Sequence, residues 1–143
     1  MAEALLRDAL AKDVVLALSK MEVRSAGIRG LDGAAATAEA VTALARCGVD
    51  LREHKARRLT PELVVWADLL LVMETLQRER VVSSYPRAAP KTFLMTEFAG
   101  VSGEVSDPYG EPPEGYNQCA DLLASLVPGI LTRLREEADR AQT

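Results

Sequence analysis

The chain has 143 residues, 48% of them hydrophobic and 27% charged, which gives it the length for one domain with a single core and the composition of an ordered globular protein. A formal net charge of −4 argues against nucleic acid or an anionic membrane as the main partner, and two cysteines, neither in a CxxC pair, exclude a disulfide framework and the usual structural zinc spacing. Acids near the N-terminus exclude a signal peptide, the longest apolar stretch ("LVVWADLLLVM") is broken by Asp68 and too short to span a bilayer, and a reducing cytoplasm is the simplest compartment.

The first expected element is a helix from about Ala2 into "KDVVLALSK". Ala2, Leu5, Leu6, Ala9 and Leu10 follow the i, i+3, i+4 rule, yet no Ser, Thr, Asp or Asn precedes them as an N-cap. "MEVRSAG" alternates Met21, Val23 and Ser25 with Glu22, Arg24 and Ala26, which predicts a short strand ended by Gly27. "IRGLDGAAA" is a glycine-punctuated loop. Thr37 then caps a helix whose apolar face is Ala38, Val41, Leu44 and Ala45, with Gly48 at C′. Thr60 as N-cap with Pro61 at N1 marks another helix start.

"DLLLVM" is a continuous apolar run, as expected of a strand buried on both faces. "TLQRERVVSSY" reads as a helix stopped before Pro86, and "KTFLMTEF" contains a third strand. "AGVSGEVSDPYGEPPEGY" is a long Gly/Pro/Ser/Asp-rich loop, of the kind that carries function or moves. The last helix runs from about Tyr116 to Ala138, with Pro128 and Gly129 expected to kink or divide it. Short apolar strands alternating with helices indicate a single α/β domain with a parallel sheet covered on both faces. Such chains ordinarily begin with a strand; this one begins with a helix.

"MAEALLRDAL", "VRSAGI", "LREHKARRLTPEL", "WADLLLVM", "KTFLMTEFAG" and "DPYG" occur in one order and at compatible spacing. Together they resemble the low-molecular-weight protein tyrosine phosphatase family, especially its bacterial branch, which includes enzymes similar to protein-arginine phosphatases. The resemblance covers Met1 to about Leu134. It implies a flavodoxin-like three-layer sandwich of strand order 2-1-3-4. The family signature, a strand and a C-x5-R-[ST] loop, lies upstream of Met1-Ala2-Glu3 in that register. No cysteine in the chain replaces it: Cys47 is followed by "GVDLRE", with Arg52 one position early, and Cys119 by "ADLLAS".

What the resemblance implies of the site is a phospho-cysteine mechanism in which loop N–H groups, the loop arginine and the first helix N-terminus hold the phosphoryl oxygens. Asp107 of "DPYG" would be the general acid and later the base, with Pro108 restricting its backbone to an extended geometry. Tyr109 would line the substrate slot, and His54 would support the phosphate loop by hydrogen bonding. No metal or cofactor is implied. Without the resemblance, Asp-Pro is an ordinary turn former, Tyr109 a surface aromatic, "REHKARR" a solvated face, and Cys47 and Cys119 small core fillers.

Two accounts of the chain follow. In one, a strand and phosphate loop precede Met1, and the protein acts on phosphotyrosine or phosphoarginine proteins. In the other, the chain is a non-catalytic binding module, inactive as written, whose open sheet position is filled by a partner strand or a second copy. Without the first strand, those at Val23 and Leu70 lack a shared neighbour, unless they close up and pair directly.

Overall fold

The helix that opens the chain, α1 (Ala2–Ala11), has Met1 at its N-cap and no side-chain cap. The computed structural model describes residues 1–28 and 32–141, so part of the glycine-punctuated "IRGLDGAAA" loop lies outside the described residues. α1 does not run on into "KDVVLALSK" as the periodicity predicts. Asp13 Oδ1 accepts from the Val15 N–H at 2.8 Å, a local bond that competes with the helix ladder, and Val15 turns extended before α2 (Leu16–Ser19). Arg135 also donates to Asp13, and these two partners hold its carboxyl below the usual carboxylate range.

The run at 21–27 is not a strand. Its backbone makes one isolated parallel bridge, Gly27 with Arg58, and the Val23 carbonyl is taken at 2.8 Å by the Arg7 guanidinium of α1 rather than by a neighbouring strand. Nor does it pair with the strand at Leu70. Alternation chooses which side chains face inward; a ladder needs a partner that the pattern does not supply.

From residue 37 onward most elements form where their caps place them. Thr37 Oγ1 accepts from the Ala40 N–H and opens α3 (Ala38–Arg46), which ends at Gly48 with φ +76°. The buried face of α3 is Ala40, Ala43 and Leu44; Ala38 and Ala45, expected inside, are exposed. Thr60 caps α4 (Pro61–Trp66) through the Leu63 N–H. Two parallel strands follow, β1 (Leu70–Val72) and β2 (Thr92–Leu94), with Leu70 opposite Thr92 and Val72 opposite Leu94. Between them lie α5 (Thr75–Ser84) and a 3-10 turn over Pro86–Lys91. A short α6 (Met95–Phe98) leaves β2 directly.

The sheet separates two apolar clusters, which gives the three layers. Leu71 packs against the larger one, built from Leu5 and Leu6 of α1, Leu44 of α3, Phe98 of α6 and the inner face of α7 (Pro113–Ala141). Leu70 and Val72 turn to the smaller, around Val64, Val81 and Ala88. Both faces of β1 are thus covered, but all three residues stay half-buried, because its edge away from β2 has no strand beside it among the described residues. The order 2-1-3-4 is therefore represented among the described residues by one pair of neighbouring strands.

Of the two outcomes expected at Pro128, division does not occur: α7 passes through it as one helix. Proline removes one ladder bond and costs about 3 kcal/mol in a helix interior. Burial of Leu126, Val127 and Ile130 on either side holds the turn nonetheless. Gly129 is a notch: a Cβ there would lie 2.4 Å from the Ala99 carbonyl oxygen. Among the described residues no helix is long and apolar enough to cross a membrane.

Candidate active site

The uncapped start of α1 is the first component. N–H groups at a helix N-terminus have no partner within the helix, and they favour an anion. Glu3 sits in this turn with its side chain only 10% exposed. His54 Nδ1 lies 3.1 Å from Glu3 Oε2, across 51 residues of sequence, and Arg7 pairs with the same carboxylate at 3.4 Å. His54 reaches it from a tight turn in which its own N–H donates to the Leu51 carbonyl, and Leu51 is buried. Beside it, Asp50 takes both the N–H and the guanidinium of Arg52, which lowers the Asp50 carboxyl to about 2. Arg52 is thus held in its own turn.

The second component is the loop between α6 and α7. Its near end is pinned by Thr96 Oγ1, which donates to the Gly103 carbonyl at 2.6 Å, and by the Val105 N–H, which donates to Met73 at the end of β1. Glu104 accepts from the Thr75 N–H at the start of α5. Asp107 is exposed, and its Oδ1 accepts from the Tyr109 N–H at 3.0 Å. Pro108 is half-buried, and its carbonyl closes a turn with the Glu111 N–H around Gly110, whose φ of +84° suits glycine. Tyr109 is 78% exposed.

Cys119, on the first turns of α7, joins the two components. Its Sγ lies 3.9 Å from the Ser106 carbonyl. Burial raises the thiol pKa, the Met1 amino group partly offsets this, and Asp107 and Glu111 push it further up. The Met1 amine is lowered by burial and feels both Cys119 and Glu3. Cys119 thus touches the loop at Ser106, next to Asp107, and shares the cluster on which Met1 packs, while His54 holds Glu3 in the first turn of α1. Tyr109 is close to Asp107 in the turn and otherwise faces solvent.

Glu3 and Glu104 were not singled out from the sequence. Glu3 carried a weak signal, an i, i+4 pair with Arg7. Glu104 carried none, because its partner is 29 residues away. Among the described residues no three His, Cys, Asp or Glu side chains gather to hold a metal ion.

Comparison with known proteins shows the family and the fold. Residues 1–140 match the family described as low molecular weight phosphotyrosine protein phosphatase. A protein-arginine-phosphatase of Geobacillus stearothermophilus is 31% identical over 121 residues, which cover 84% of this chain and 81% of that protein. A probable low molecular weight protein-tyrosine-phosphatase, EpsP, of Ralstonia nicotianae is 33% identical over 94% of this chain and 86% of its own length. The solved YwlE arginine phosphatase of G. stearothermophilus superposes with a TM-score of 0.84 at 31% identity, over 95% of this chain and 84% of that one. The low molecular weight protein tyrosine phosphatase of T. tengcongensis gives 0.82 at 36% identity, over 92% and 88%.

Proposed function

This chain belongs to the low molecular weight phosphotyrosine protein phosphatase family, and from that premise we propose that it serves the hydrolysis of phosphotyrosine or phosphoarginine in proteins, with Asp107 as the proton donor. The observation that carries the reading is the seam at Cys119, whose Sγ lies 3.9 Å from the carbonyl of Ser106, the residue before Asp107, and which belongs to the core cluster against which Met1 at the head of α1 packs. The helix end would draw the phosphoryl dianion. As the phosphoryl group passes to the thiolate of a C-x5-R-[ST] loop, Asp107, exposed on its own loop, would protonate the departing phenol or guanidine, because an unprotonated phenolate leaves as a base of pKa about 10. The same carboxylate would then take a proton from the water that attacks the phospho-cysteine, breaking its S–P bond to release phosphate and return the thiolate. His54 would fix the first turn of α1 through Glu3, and Tyr109 would flank the substrate's side chain.

Residues 1–143 contain no C-x5-R-[ST] run. The reading therefore expects no release of nitrophenol from an aryl phosphate by these residues alone. Placing a strand and such a loop ahead of Met1 should give turnover, cut about 10²–10⁴-fold by Asp107→Asn, the usual range for a general acid. Turnover that ignores this substitution would overturn the assignment of Asp107. The same sequence fact favours a second reading, a non-catalytic module that holds phosphorylated side chains. It expects micromolar retention of a phosphotyrosine peptide by residues 1–143, measured by fluorescence anisotropy, and no turnover once the loop is supplied.

A further inference from the structure

We propose that Glu104 is the positioning residue of the acid loop: by accepting the Thr75 N–H at the start of α5 it fixes where the backbone at Asp107 emerges beside α1. The inference rests on the reading of Asp107 above for its function, though not for its geometry.

The first turn of α5 is almost served from within. The Glu74 side chain accepts from the N3 backbone, and Gln77 Oε1 takes the N–H groups of Glu74 and Met73. The Thr75 N–H is instead given to another element, and the carboxylate that takes it lies three residues before Asp107. A charged acceptor on an N-terminal N–H, within the positive end of the helix field, makes a stronger bond than a neutral pair. Three residues span at most about 10 Å, so a fixed Glu104 confines Asp107 to a short arc. Val105 and Thr96 hold residues 103–105 as well, Val105 through the Met73 carbonyl of the same β1–α5 junction and Thr96 through the Gly103 carbonyl, and Glu104 adds the loop's charged tether to that junction. Between Glu104 and Asp107 the loop is met at Val105, whose side chain is buried in the larger cluster, and at the Ser106 carbonyl, by a long contact from Cys119.

Cys119 is therefore a built-in reporter of loop position. It is covered by the loop, and its thiol is raised first by burial and then by Asp107 and Glu111. Cys47, half-buried at the end of α3, is the internal reference. Two variants break the tether from opposite ends. Glu104→Ala removes the acceptor. Thr75→Pro removes the donor N–H while leaving the loop sequence and the Glu104 charge intact. Proline is tolerated at N1, and Glu74 already has the extended backbone (φ −131°, ψ 149°) that a residue before proline needs. Glu104→Gln keeps an acceptor oxygen.

The measurement is iodoacetamide labelling of the intact chain, followed by mass spectrometry against pH. We expect Cys119 to label about tenfold faster relative to Cys47 in both Glu104→Ala and Thr75→Pro, the size expected of losing one charge-assisted hydrogen bond. The pH profile of Cys119 should move to lower pH in both, and Glu104→Gln should restore most of the protection. General loosening would raise both cysteines together and overturn the proposal. So would protection that persists in either tether-breaking variant. None of these outcomes depends on phosphatase activity, so failure here leaves the role of Asp107 to be judged by the turnover experiment.

Discussion

Residues 21–27 and the "DLLLVM" run both carry strand-like patterns, and only the second contains a strand, at Leu70–Val72. Leu70–Val72 finds Thr92–Leu94 alongside and alternates its side chains between two clusters. Met21–Ile28 lies against the body through side chains. Arg7 takes the Val23 carbonyl, Arg24 stacks over Trp66, and Gly27 makes a single bridge with Arg58. A strand is a relation between two segments, and its pattern describes one of them. What can be read locally is which face is apolar; what cannot is whether a neighbour is present to share the ladder.

The same distinction sorts the other features. Thr37, Thr60, Pro61 and Gly48 were legible because a cap satisfies N–H or C=O groups within four residues of itself. Pro128 does not divide α7, because its local cost is offset by burial against α1, α3 and α6, which no local rule contains. The break after Ala11 depends on Asp13, whose short side chain offers the backbone an alternative; periodicity counts it only as polar. At the site, the register of six segments is what proposes roles for Asp107 and His54, which no single segment suggests. The Glu3–His54 and Glu104–Thr75 bonds stayed hidden because they join residues 51 and 29 positions apart.

Core substitution puts the contrast between the two regions to its hardest test. Phe98 is 1% exposed, meets Phe93 at 5.6 Å between ring centroids, and carries the Arg133 guanidinium 4.2 Å over its ring. Phe98→Ala should cost about 3–5 kcal/mol in urea denaturation. Met21→Ala, at a position 37% exposed in the unpaired run, should stay within about 0.5 kcal/mol. A comparable loss from Met21 would mean that the run is built into the core after all.

Gly129→Ala separates local propensity from packing. On propensity alone, alanine should stabilise a helix interior by about 1 kcal/mol. The Ala99 carbonyl oxygen, 2.4 Å from the new Cβ, demands a backbone shift instead, and the expected result is a loss of about 1–3 kcal/mol. A gain in thermal midpoint would show that α6 and α7 can move apart freely. Thr60→Ala, which removes the acceptor of the Leu63 N–H, should cost about 1 kcal/mol. Thr60→Asn should recover most of it, since asparagine caps as well as threonine.

The smallest effect concerns the unpaired run itself. Trp66 is the sole tryptophan, 43% exposed, and the Arg24 guanidinium lies 4.3 Å from the centre of its ring. An exposed contact of this kind contributes about 0.5–1 kcal/mol, near the limit of a denaturation curve, but indole emission reports it directly. Arg24→Ala bares one ring face to water and should shift the emission to the red. Arg24→Leu covers the ring without charge: if coverage sets the emission, the wild-type maximum returns while the salt dependence of stability is lost. Glu22 pairs with Arg24 at 3.4 Å and competes for it, so Glu22→Gln should tighten the stack and shift emission slightly to the blue. Should all three variants emit like the parent, Arg24 does not rest on α4, and the run from Met21 to Ile28 would lose its contact with Trp66.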